Sequence, residues 1–338
     1  MNIKQIILVI LTIFITIVSK PTYAVSCGDF ITSDTTLSAD LHCSTGYYAI
    51  EIGANNVTLD LNGYTLSGTN DLAGVIVSGR KNVKVTGNGG VIKGFWAGIN
   101  TSDSDFLQVN STFFYNLGTG LIISSGNEAT VNNNDFIKIA AQGVFIRNAV
   151  AGNHANKNTI INNEFYNSAV GIEVCGDDSD TNTIKDNLIW QSNYYGIHLS
   201  RSNNNIITNN EIIETTETAI RLDDSSENQI NGNSLRVGRV GLEILADAGY
   251  GCLMTGPTTS TRNTFNGNHT FDFQTGLVIG IGSTTTPQVY KNDLRYNKLY
   301  DNILGIFFNN DAHYNNAKSN AYTGTTTPIS DLGVSNVY

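Results

Sequence analysis

The chain has 338 residues, a formal net charge of −10, 33 glycines, 4 prolines and only 14% charged residues. The acidic balance argues against nucleic acid and anionic membrane as partners. Low charge with abundant Gly and Asn suits a β-solenoid, and the length allows one elongated domain.

Residues 1–24 read as an export signal. Lys4 supplies the positive start, Ile6 to Val18 the apolar centre, and Thr22-Tyr23-Ala24 a small-residue cleavage site. The apolar run is short for a span of about 20 residues. The expected location is secreted, periplasmic or cell-surface, with no membrane insertion after cleavage. Losing Lys4 and Lys20 moves the charge two units further negative.

Four cysteines in an exported chain make disulfides an expectation. Cys27 with Cys43 would close a small loop over the first coil. Cys175 and Cys252 form the other candidate pair. The repeat starts them three coils apart, about 14 Å, which exceeds disulfide reach. Only the insertion at 245–262 could return Cys252, so that pairing stays open.

A short phrase, Gly-Ile-x-Val, organises the chain from residue 46 onward. Clear copies are Gly171-Ile172-Glu173-Val174, Gly196-Ile197-His198-Leu199, Ala219-Ile220-Arg221-Leu222 and Gly241-Leu242-Glu243-Ile244. Weaker copies begin at Gly74, Gly98, Gly120, Gly143, Gly276 and Gly305. A period mostly in the twenties means one supersecondary unit stacked on itself. Each unit reads strand, turn, strand, turn. Ile172, Ile197, Ile220 and Leu242 form one inward column. Ile160, Ile184, Ile207, Ile230 and Phe265 form another on the second strand. Asn158, Asn182, Asn205, Asn228 and Asn263 start that strand, and Asn134, Asn163, Asn187, Asn210, Asn233 and Asn268 follow it or its equivalent. Stacked amides of this kind can form ladders. A leucine-rich horseshoe would need Leu-x-x-Leu-x-Leu and helical spacers, and neither is present. The expected fold is all-β, a single parallel β-helix of about 10–11 coils over 25–310, with 311–338 as a polar cap or partial coil.

These repeats resemble those of the right-handed parallel β-helix family within the pectin-lyase-like superfamily. The opening Cys27-Gly28-Asp29-Phe30-Ile31-Thr32, Asp40-Leu41-His42-Cys43 and Val57-Thr58-Leu59-Asp60-Leu61-Asn62-Gly63 are similar to the entry coils of a subgroup that includes the periplasmic copper-maturation protein of nitrous-oxide reductase. The resemblance spans roughly residues 27–310 and implies a right-handed coil. It does not imply an activity, because the family holds lyases, hydrolases, epimerases, adhesins and non-enzymes. A copper site is unsupported, since His and Met are scattered and few.

The third position of the phrase points away from the core. Along the axis it carries Glu173, His198, Arg221 and Glu243 consecutively, with apolar residues on both sides. Lyases of uronate polysaccharides neutralise a carboxylate, remove the proton beside it and protonate the leaving oxygen. His198 is the expected base, oriented by Glu173. Arg221 is the expected partner of the substrate carboxylate, and Tyr195, or Tyr194 beside it, the acid. The same parts could perform epimerisation. Glu243, Tyr194, Trp190 and Arg201 are expected as further contacts to an extracellular polysaccharide. Glycoside hydrolysis by Glu173 and Glu243 fails on distance, at about 14 Å against 6.5–9.5 Å. Asp177 and Asp178, and Asp223 and Asp224, end two coils and leave a Ca²⁺ site open. The rival reading is a non-catalytic structural, adhesive or surface-display protein, whose charges form a solvated, mutually neutralising ladder.

Overall fold

The computed structural model describes residues 24–148, 153–177, 179–246, 259–280 and 289–338. The chain winds into a parallel β-solenoid of about 12 turns. Eleven short strands stack in one sheet and twenty in a second, larger one. All pairing between named strands is parallel.

Each regular coil carries three strand segments where the sequence indicated two. In the coil from Asn158 they are Thr159–Ile161, then 164–166, then 170–175. The last two join into one strand, Glu164–Cys175, which pairs with both Leu188–Trp190 and Tyr195–Ser200 of the next coil. The middle segment adds its own inward column, in which Phe114, Phe136 and Phe165 stack with ring centroids 4.6 and 4.8 Å apart.

Inward positions are sealed. Ile172, Ile197, Ile220 and Leu242 have 0% exposure, as do Ile160, Ile184, Ile207, Ile230 and Phe265. Burying such side chains contributes about 1.5–3 kcal/mol each, and the column repeats this at every coil. The recurring glycine has a steric cause. A Cβ on Gly171 would lie 2.6 Å from the carbonyl oxygen of Gly196, and one on Gly196 would lie 2.6 Å from that of Ala219.

Both asparagine columns form continuous ladders. The backbone N–H of Asn163 donates to Asn187 Oδ1 at 3.0 Å, and that of Asn187 donates to Asn210 Oδ1 at 3.1 Å. The side-chain amides repeat the link at 3.1 and 3.0 Å. The ladder asparagines do not themselves take the left-handed conformation. That falls to the preceding residue, as at Asn162 (φ 54°), Asp186 (φ 55°) and Asn209 (φ 56°). The ladders also run further than the repeat phrase, through Asn292, Asn315 and Asn336. Residues 311–338 contribute strands that pair with the coil before them.

Cys27 and Cys43 are disulfide-bonded across the first coil. Such bonds persist in oxidising compartments. Cys175 is buried and not free. Cys252 and Asp178 lie outside the described residues, as do residues 1–23 and 247–258.

Candidate functional site

Four strand segments bring the site together: those ending Glu164–Cys175, Glu211–Asp223 and Ser234–Leu245, with Tyr195–Ser200 between the first two. Their register pairs Glu173 with His198, His198 with Arg221, and Arg221 with Glu243. The expected column is therefore present, one residue per coil.

The column is not a solvated ladder. Relative exposure is 4% for His198, 6% for Glu243 and 4% for Asp223. The side chains of Glu173 and Arg221 are 12% and 11% exposed. His198 sits between two carboxylates, with Nδ1 3.2 Å from Glu173 Oε1 and Nε2 2.9 Å from Asp223 Oδ2. Arg221 donates from Nε to the same Asp223 oxygen at 2.7 Å and from Nη1 to Glu243 Oε2 at 3.5 Å. Gln142 donates to Glu173 Oε2 at 2.6 Å, and Thr218 Oγ1 donates to Glu243 Oε2 at 3.0 Å.

Tyr195 closes one side. Its ring centroid is 5.0 Å from that of His198, and the Arg221 guanidinium lies 5.2 Å from it. Its hydroxyl makes no hydrogen bond among the described residues. Asp223 Oδ1 is also buried without a hydrogen-bond partner among them. The cluster thus ends in two unused polar atoms.

The electrostatics follow from this packing. Burial alone would lower the His198 pKa, but the hydrogen bonds to Asp223 and Glu173 overcome it and hold it at about 9. At neutral pH the ring is an imidazolium donating from both nitrogens. Burial works to raise Glu173 and Asp223, yet the contacts to His198 hold both below the usual carboxylate range, assisted by Gln142 and Arg221 respectively. Burial raises the Tyr195 pKa, so its hydroxyl stays protonated. Chemically, the site offers a neutral phenol as proton donor and two cations fixed by three carboxylates. The base role expected of His198 requires it first to release a proton.

A groove of about 350 Å³ opens beside Glu243, where Arg239, Gln274, Val278, Phe307 and Asn309 are among its walls. The outward Val278 and Phe307 therefore line a depression. The outward Ile122 is instead buried, at 4% exposure.

Other expected site residues fall elsewhere. Arg201 is buried and pairs with Asp177 at 2.8 Å. Tyr194 is exposed, its ring 6.5 Å from that of Tyr195. Trp190 lies on the middle strand segment, paired with Tyr166 and Ile213, and its indole donates to Glu214. Asp224 is buried at the turn after Asp223. Among the described residues no group of three or more His, Cys, Asp or Glu is arranged to hold a metal ion. Asp223, expected as a turn residue, instead completes the charged cluster. Its fifth-strand position has the same parity as the third, which is the signal that places it there. Gln142 and Thr218 lie one residue before the repeat glycine or its Ala219 equivalent, also on the outward face, and carried no such signal.

A family model described as right-handed beta helix region matches residues 97–265. No curated protein sequence matches the chain significantly. Among solved structures, the A-module of mannuronan C-5 epimerase AlgE6 from Azotobacter vinelandii is similar at 15% identity and TM-score 0.63, covering 93% of this chain and 88% of that one. PfbA, a surface adhesin of Streptococcus pneumoniae, is similar at 10% identity and TM-score 0.64, covering 88% and 84%. A tailspike protein mutant of E. coli bacteriophage HK620 in complex with a hexasaccharide is similar at 12% identity and TM-score 0.59, covering 90% and 69%.

Proposed function

The chain belongs to the right-handed β-helix family, and from that premise we propose that it engages extracellular polysaccharide along its long sheet. We place proton transfer on a uronate sugar, by elimination or epimerisation, at the Tyr195–His198–Arg221 cluster. The protein acts outside the cytoplasm, as a secreted, periplasmic or surface protein. The Cys27–Cys43 disulfide and the character of the N-terminal segment support that location.

The observation that carries the reading is the burial of His198, Asp223 and Glu243 and the near-burial of Glu173 and Arg221 on an outward sheet face, with the Tyr195 hydroxyl and Asp223 Oδ1 left over. Taking charges out of water costs several kcal/mol per ion before pairing offsets it. Solubilising a sheet face requires no such cost. Buried clusters of perturbed acids and bases beside a groove are where proton chemistry is usually found.

In this reading Arg221 faces the sugar carboxylate and stabilises the charge that builds on it as the neighbouring C–H is broken. His198, after losing one proton, accepts that hydrogen. In elimination the C4–O bond then breaks, a C4–C5 double bond forms, and Tyr195 protonates the departing oxygen. In epimerisation no bond to oxygen breaks, and Tyr195 returns a proton to the opposite face of the carbon. The similarity to a mannuronan epimerase module and to a tailspike holding a hexasaccharide supports a carbohydrate partner. Three carboxylates against two cations leave the cluster net negative, so Ca²⁺ is an additional component to vary.

The test is incubation with polymannuronate, pectate and chondroitin in D₂O, with Ca²⁺ or chelator. Ultraviolet absorbance reports unsaturated ends, and NMR reports deuterium at the carbon beside the carboxylate. Either signal, lost in Tyr195→Phe, supports the centre. Neither signal on any substrate removes it. A non-catalytic adhesive or display role would then hold, which the mutual pairing of every charge in the cluster also favours.

A further inference from the structure

A second surface lies away from the charged cluster, on the outward face of the middle strand segment. Register aligns His42 with Ser67, Ser67 with Lys93, and Lys93 with Tyr115. The row continues through Ile137 to Tyr166 and Trp190. Seven coils at about 4.8 Å give a strip roughly 29 Å long, with a side chain at a step close to the repeat of an extended sugar chain.

One depression lies on this row, and a second runs beside it along the residues that follow Tyr115, Ile137 and Tyr166. One, of about 370 Å³, is walled by His42, Ser67, Lys93 and Tyr115. The other, of about 530 Å³, is walled by Asn70, Asn116, Lys138, Asn167 and Asn193. They share Gly94 and Asn116, so they meet end to end.

The chemistry of these walls is consistent along their length. Neither depression has an acidic residue in its lining, although the chain is net −10. Lys93 and Lys138 have no carboxylate partner among the described residues. Lys138 instead lies over the Tyr115 ring, 5.5 Å from its centroid. The buried ladder asparagines spend their amides on one another. Asn70, Asn116, Asn167 and Asn193 are exposed, and their amides make no hydrogen bond among the described residues. Trp190 is 43% exposed, and its indole is fixed by Glu214 at 3.1 Å and by Tyr166, 5.2 Å away.

We propose that this row is a binding strip for a linear acidic polysaccharide, separate from the charged cluster. Fixed aromatic rings present apolar faces to pyranose rings while their edges stay polar. The amides supply donors and acceptors for hydroxyls. The two lysines supply local positive charge at the Lys93–Lys138 end of the row, clear of the carboxylate of Glu214 at the Trp190 end, and that charge favours an acidic glycan over a neutral one. The proposal takes from the reading above only the class of partner, and it stands without catalysis.

The chain has two tryptophans, so Trp96→Phe leaves Trp190 as the sole indole reporter. The experiment titrates this full-length variant with polymannuronate and with dextran, and repeats both by affinity electrophoresis. The expected result is a saturable change in Trp190 emission and retarded migration with polymannuronate, both weakened by salt and absent with dextran. Lys93→Gln/Lys138→Gln should raise Kd about tenfold, as for two exposed ion pairs, with an unchanged melting temperature. His198→Ala should leave this binding intact even where it abolishes turnover. Equal binding of dextran, unchanged affinity in the lysine double variant, or no retardation by polymannuronate would each overturn the strip.

Discussion

His198 and Arg221, on neighbouring coils, converge on one oxygen. His198 Nε2 lies 2.9 Å and Arg221 Nε 2.7 Å from Asp223 Oδ2. One buried carboxylate therefore holds two cations that would otherwise repel each other across the sheet. Asp223→Asn keeps the shape and removes the charge. Removing one partner of a buried ion network costs about 3–5 kcal/mol, because the remaining charges lose their compensation. Chemical denaturation should show a loss of about that size. A loss below ~1 kcal/mol would mean that solvent reaches the cluster and screens it.

The His198 pKa makes stability depend on pH with a definite sign. It is about 9 in the folded protein against an ordinary 6.5. The group is raised, so its contribution is fully present below pH 6.5 and is lost as pH climbs through 9. The gap corresponds to about 3 kcal/mol at most. Melting temperature should fall from pH 6.5 to 9 in the native chain, and this slope should be missing in His198→Gln. The depressed carboxylates act in the opposite direction. Glu173 and Asp223 contribute above their ordinary pKa values, and that contribution is lost as pH falls through the lowered ones.

What could be read in the sequence depended on how often a residue type recurs at one position. Ile172, Ile197 and Ile220, or Asn163, Asn187 and Asn210, are the same residue at the same step, and each coil must reuse the position because each packs on the last. The segment at 164–166 was not legible because it starts one residue after Asn163, with no Gly or Pro to mark a corner. The third-position column was legible by parity, but its burial was not. Burial depends on Tyr195, Gln142 and Thr218, which occupy one column whose residue type changes from Gln142 to Val170, Tyr195, Thr218 and Val240. Asp223 resembles a turn residue beside Asp224; its parity with Arg221 gives its face only once the strand is known to extend that far, as its pairing with Ser200 and Leu245 shows.

The asparagine ladder should be costly to interrupt. In Asn210→Ala, the backbone N–H of Asn187 loses its acceptor, while its side-chain amide loses one of three acceptors and keeps the carbonyls of Ile160 and Lys185. The carbonyl of Ile184 loses its donor at 3.0 Å. These groups are buried, and an unsatisfied buried polar group costs about 1–3 kcal/mol. A total near 3 kcal/mol is expected by denaturant titration. Asn70→Ala, on the surface, should stay within about 0.5 kcal/mol. Comparable values for the two would show that the ladder relaxes around the gap.

Tyr195→Phe separates packing from chemistry at the cluster. The ring lies 5.0 Å from His198 and 5.2 Å from the Arg221 guanidinium, and both contacts survive the substitution. The hydroxyl has no hydrogen bond among the described residues to lose. Stability should therefore change by no more than about 0.5 kcal/mol. Turnover of a uronate polysaccharide should fall by roughly 10²–10⁴-fold, the usual contribution of a positioned acid. If the hydroxyl is the proton donor, the alkaline limb of the pH–rate profile should also disappear, because burial holds its pKa above the ordinary phenol value. A variant that keeps full turnover would remove Tyr195 from the acid role and leave its ring as a packing surface for His198 and Arg221.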